Sequence, residues 1–120
     1  MADTPQPLAV PPTAYANNVQ LEPSEFDLRL VFGEQSQSPS GGIVRPLVGV
    51  RLSWLEAKLL SYFLQVTLAG YELHSGKINV PKSTIPPEPT PIPEEHANDP
   101  EYKAIHEKIT AMHKDFIASI

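Results

Sequence analysis

The sequence is 120 residues long and 41% hydrophobic, with a formal net charge of −5, 14 prolines and no cysteine. The length suits one domain, and the lack of cysteine excludes disulfides, thiol nucleophiles and zinc–thiolate sites; it fits a reducing compartment, so a soluble, cytoplasmic protein is expected. With Arg29, Arg45 and Arg51 as its only arginines, the chain offers no extended basic footprint, and no nucleic acid is expected as a partner.

The amino terminus, Met-Ala-Asp-Thr-Pro, shows neither the basic stretch nor the apolar run of a signal peptide. Residues 1–13 are rich in proline and poor in large apolar side chains, which predicts a disordered arm. The folding core is expected over residues 14–80. A first strand is predicted over residues 15–21, where Tyr15, Val19 and Leu21 share one parity. Pro23-Ser24-Glu25 then reads as a tight turn, because proline presets its backbone angle and serine bonds the backbone nearby.

Phe26, Leu28, Leu30 and Phe32 alternate with Asp27, Arg29 and Val31, a period of two that predicts a second strand with those large side chains on one face. Residues 33–42 hold glycines, serines and a proline, and read as a mobile hairpin connection. In a third strand Val48, Val50 and Leu52 should face inward, with Gly49, Arg51 and Ser53 outward. The result is a three-stranded antiparallel meander.

Ser53-Trp54-Leu55-Glu56 has the form of a capping box, so a long helix should start there and run to about His74, closed by Gly76 in the left-handed conformation. At ~1.5 Å per residue it spans ~30 Å. Of its 21 residues from Trp54 to His74, 13 are apolar, more than one stripe requires. Leu55, Leu59, Tyr62, Phe63, Val66 and Leu73 make one face, and Ala57, Leu60, Leu64, Leu68 and Tyr71 a second beside it. The sheet is expected to cover one face only, so the other should be taken up by self-association or by the carboxyl-terminal segment folding back. The longest apolar-rich run, residues 59–71, is broken by Ser61, Gln65 and Thr67 and is too short to span a bilayer, so no membrane partner is expected.

Residues 81–97 form a proline-rich linker that reads as a spacer, reaching up to ~50 Å at ~3.1 Å per residue as polyproline II. Asn98-Asp99-Pro100-Glu101 then starts a last helix, residues 98–120, with capping side chains followed by proline. Tyr102, Ile105, Ile109, Met112 and Phe116 recur every three or four residues, an apolar seam suited to a groove or to another helix.

The residues give little support to catalysis. His106 and His113 lie seven apart on the last helix, too far for a helical metal pair, and read as solvent-facing or rim residues; no metal or other cofactor is expected. His74 suits the carboxyl end of the long helix. No serine sits in a Gly-x-Ser-x-Gly elbow, Gly41-Gly42 lacks phosphate-cradling spacing, and Glu94-Glu95 lies in the linker without a pocket. Asp27, Arg29 and Arg51 share the polar sheet face, where cross-strand ion pairing explains them; the sharper reading is recognition of acidic groups on a partner.

The runs Tyr15-Ala16-Asn17-Asn18-Val19 and Glu25-Phe26-Asp27-Leu28-Arg29-Leu30-Val31-Phe32-Gly33, Ala57-Lys58 in the long helix, and Gly76-Lys77-Ile78 together resemble a bacterial family. It is catalogued as domain of unknown function three-four-six-seven. The resemblance covers residues 14–80, excludes both tails, and implies a small bacterial protein with no established activity. In architecture alone, the order of elements is similar to the SecB-like export chaperones, which associate through such elements. The expected function is a non-enzymatic, protein-binding assembly module, a homo-oligomer whose protein-binding residues are Leu60, Leu64, Leu68 and Tyr71 with the Tyr102–Phe116 seam. The alternatives are a chaperone holding nonnative polypeptide, and an uncharacterised regulator or enzyme.

Overall fold

The computed structural model describes residues 9–36 and 42–120; the start of the proline-rich arm and the tip of the hairpin connection, residues 37–41, lie outside the described residues. Strands β1 (Asn18–Pro23), β2 (Asp27–Ser36) and β3 (Ile43–Ser53) form one antiparallel meander in sequence order. Helix α1 (Trp54–Ser75) follows, and helix α2 (Pro100–Ser119) ends the chain. The fold is α+β, as the alternation and helical patterns predict. The chain divides into two compact units that meet within α1, Met1–Gln65 and Val66–Ile120.

In the first unit the period-two pattern sets the register. Leu30 stands opposite Leu21 and Val50, Phe32 opposite Val19 and Val48, and Leu28 opposite Pro23 and Leu52. One face of the sheet is therefore apolar across all three strands. Leu30 in the central strand is 8% exposed and is the buried large apolar side chain among the described residues.

Two strand boundaries differ from the pattern. Tyr15 lies ahead of β1 and is exposed, and β1 continues to Pro23. Phe26 belongs to the turn, not the apolar face, and is 83% exposed. Ser24 explains this: its hydroxyl accepts from the amides of Phe26 and Asp27 at 3.3 and 3.0 Å, coiling the chain before β2 begins. Gly33, expected in the connection, lies within β2. A register shift there leaves Leu47 without a partner, because Phe32 pairs with Val48 and Gly33 with Pro46. A Cβ on Gly33 would sit 3.0 Å from the Arg45 carbonyl oxygen, so the close approach of the strands favours glycine.

Helix α1 starts and stops where its sequence signals lie. The Ser53 hydroxyl accepts from the Glu56 amide at 3.1 Å, and Gly76, at φ 87°, donates to the Glu72 carbonyl at 3.0 Å. Trp54 ties the helix start to the first turn, its indole N–H donating to the Ser24 carbonyl at 3.1 Å.

The expected cover of one α1 face by the sheet is not found. Within the first unit Leu55, Leu59, Tyr62 and Phe63 are all exposed, and no α1 residue is buried. Chain geometry is the reason. β3 ends at Ser53 and α1 begins at Trp54 with no residue between them, whereas strand-to-helix connections that fold back usually need about 2–6.

In the second unit the linker is not an open spacer. It returns antiparallel along α2: the Pro86 carbonyl lies 2.9 Å from His113 Nε2, and the His96 ring stacks on Tyr102 with centroids 4.0 Å apart. Ile85 and Pro93, near its ends, have φ and ψ of −66°, 125° and −56°, 144°, close to polyproline II. Asp99 caps α2 by accepting from the Glu101 amide at 3.0 Å, with Pro100 as the first helical residue.

Candidate functional site

Two kinds of surface emerge, one polar and paired, the other apolar and open. On the polar sheet face Arg29 contacts Glu22 across β1 and β2 at 3.0 Å, and Arg51 contacts Asp27 across β2 and β3 at 3.5 Å. Gly49 has no side chain to displace the Arg29 guanidinium, which lies 3.2 Å from where its Cβ would be. Asp27, Arg29 and Arg51 are thus brought together, and cross-strand pairing accounts for them. A third pair, Arg45 with Glu34 at 3.2 Å, lies beyond the bulge, at the end of the apolar face.

The apolar sheet face carries a groove of about 490 Å³. One wall is Phe32, Leu47, Val48 and Val50; the other is the irregular segment through Pro12, Thr13, Ala14 and Ala16. The bulge at Leu47 makes the groove by adding an apolar side chain beside Val48. Sequence alternation could not show this, because a bulge breaks the parity on which it rests. Val19 and Leu21 of β1 remain exposed on the same face.

All four α1 residues expected to bind protein, Leu60, Leu64, Leu68 and Tyr71, are exposed. They share one flank of the helix at spacings of three and four residues. Leu68 and Tyr71 also border a concavity of about 550 Å³ with Ser75, Gly76, Lys77 and Ile78, where the chain turns after the helix. That turn is held by Glu72, whose carboxylate accepts from the Ile78 amide at 2.8 Å.

The α2 seam is divided. Tyr102, Ile105 and Ile109 border a concavity with the linker residues Pro89 to Pro93, while Ile105 and Met112 keep the largest exposure, 60% and 61%. Phe116 lies nearer the end of the helix and is also exposed. His106, Thr110 and His113 form a second row, half-buried beside Glu88, Pro89 and Pro91. The two histidines are rim residues of a linker–helix seam. His106 Nε2 and Thr110 Oγ1 are shielded there without a protein hydrogen-bond partner. Sequence reading passed over His96 and Pro86; their signal was the polar row at 106, 110 and 113 facing a run of prolines.

Among the described residues no three His, Asp or Glu side chains gather around a point that could hold an ion. No helix among them is long and apolar enough to cross a membrane. No known protein family, curated protein or solved structure matches the chain.

Proposed function

We propose that this chain is a non-catalytic protein-binding and assembly module, which self-associates through its apolar core surfaces and uses α2 to engage a neighbour or partner protein. One observation carries the reading: Leu30 is the buried large apolar side chain among the described residues, while Val19, Leu21, Val48 and Val50 on the apolar sheet face and both flanks of α1 are exposed. A three-stranded sheet gains stability by packing its apolar face on something. Each Val, Leu or Phe moved from water to a full interface contributes about 1.5–3 kcal/mol, which favours covering these faces.

The cysteine-free composition supports a reducing compartment such as the cytoplasm. Light scattering on the full chain tests the proposal. The expected mass is a multiple of 13.2 kDa at micromolar concentration, and a monomer at every concentration would remove the self-association.

A second reading, a chaperone holding nonnative polypeptide in the manner of the SecB-like proteins, is favoured by one feature. An irregular segment of the chain, Pro12 to Ala16, already forms a wall of the apolar sheet groove, as a segment of another protein could. It predicts that the full chain suppresses aggregation of an unfolding client at near-equimolar ratio; unchanged aggregation would eliminate it.

A further inference from the structure

Resting on the proposed self-association, we infer that a second copy of this chain covers the apolar sheet face with its own α1, and that the two copies exchange these helices reciprocally. Beyond the Pro12–Ala16 segment along one side of its groove, no helix covers the apolar sheet face, and no sheet covers α1. Val19, Leu21 and Val50 are exposed on one, Leu55, Leu59 and Tyr62 on the other, all within the first unit. The same chain therefore carries two complementary apolar faces in equal number.

It has no means of joining them itself. β3 passes into α1 without an intervening residue, the Ser53 hydroxyl fixes the first helical turn, and the Trp54 indole anchors that turn to the Ser24 carbonyl. A helix so held lacks the loop by which strand-to-helix connections usually fold back onto a sheet. The alternative of a sheet packed on the other copy's sheet would leave Leu55, Leu59 and Tyr62 in water.

The dimensions fit one helix per sheet. Three strands at ~4.8 Å spacing span about the 10–12 Å width of one helix with its side chains. At ~1.5 Å per residue the 22 residues of α1 span ~33 Å, longer than the segment of β3 between its bulge and Ser53. One-for-one exchange closes under a two-fold axis, leaving neither face open and no unpaired copy to propagate a fibre. The flank of Leu60 and Leu64 points away from this contact and stays available to other partners.

The absence of cysteine makes the test direct. Full-length Val50→Cys and Leu59→Cys chains, differently tagged and co-expressed, are treated with a short bismaleimide. The expected product is a bridged pair containing both tags, with little bridging in either variant alone. Gln65→Cys, on the polar stripe of α1, should bridge to Val50→Cys at least tenfold less. Bridging within a single doubly substituted Val50→Cys/Leu59→Cys chain at high dilution would overturn the exchange, as would Val50→Cys bridging to itself or equal bridging from Gln65→Cys. Light scattering separates the two levels of the argument: a dimer without the mixed bridge sinks the exchange alone, whereas a monomer sinks the self-association as well.

Discussion

The side chain of Asn17 closes two hydrogen bonds on the backbone of Gln35: its Oδ1 accepts from the Gln35 amide at 2.6 Å, and its Nδ2 donates to the Gln35 carbonyl at 3.2 Å. A side-chain amide here replaces a peptide group and extends the β1–β2 ladder by one rung beyond Asn18. Asn17→Ala should lower stability by about 1–2 kcal/mol, the range of two partly exposed hydrogen bonds. Asn17→Asp, which keeps the acceptor only, should recover part of it. Urea unfolding followed by tryptophan fluorescence reads the change, and an unmoved midpoint would show that the rung contributes nothing.

Both ends of α1 can be tested by single substitutions. Ser53→Ala removes the oxygen that accepts from Glu56 and should reduce stability by about 1 kcal/mol, with Ser53→Asp restoring most of it. Gly76→Ala places a Cβ at φ 87° and should cost about 1–2 kcal/mol. Thermal melts by circular dichroism compare the variants. A Gly76→Ala chain as stable as the parent would mean that the left-handed turn is not needed.

On the polar sheet face the pairs Arg29–Glu22 and Arg51–Asp27 are partly exposed, so their contribution is screened by solvent. Arg29→Gln with Arg51→Gln should lose at most about 1 kcal/mol per pair, and less in high salt. Partner capture that falls tenfold while stability holds would favour recognition of acidic groups by these arginines over cross-strand pairing.

If α1 makes the assembly interface, a charge on its exposed apolar flank will oppose association. Leu55→Glu and Leu59→Glu, both at exposed positions, should each weaken self-association by at least tenfold while preserving helix content. Sedimentation velocity across a concentration series reads the change; identical profiles for parent and variants would place the interface elsewhere.

His113 holds the proline-rich segment to α2 through the Pro86 carbonyl. His113→Ala should loosen residues 85–93 without unfolding the sheet. Amide exchange would then speed up in Ile85 and in α2 around His113, while β2 stays protected. Unchanged exchange in both places would show that the contact does not hold the proline-rich segment to α2.

What was legible in the sequence was local. Leu28, Leu30 and Phe32 identify a strand because backbone geometry alternates side chains whatever the rest of the chain does. Ser53 and Gly76 mark helix ends because capping involves neighbours within one turn. Tyr15 and Phe26 show the limit of such patterns: an apolar residue of the right parity joins the face only where the ladder continues, and the Ser24 hydroxyl ends it. Among the candidate binding residues, helical spacing placed Leu60, Leu64, Leu68 and Tyr71 on one flank.

By itself, then, the sequence determined the order of elements, the parity of the sheet and the apolar excess of α1, all set by interactions between residues a few positions apart. Tertiary structure decided the bulge at Leu47, the Asn17–Gln35 rung, the return of the prolines along α2 and the open faces of sheet and helix. These depend on which distant segments meet. Separation along the chain gives no measure of that, and the direct passage from Ser53 to Trp54 governs it through direction rather than composition.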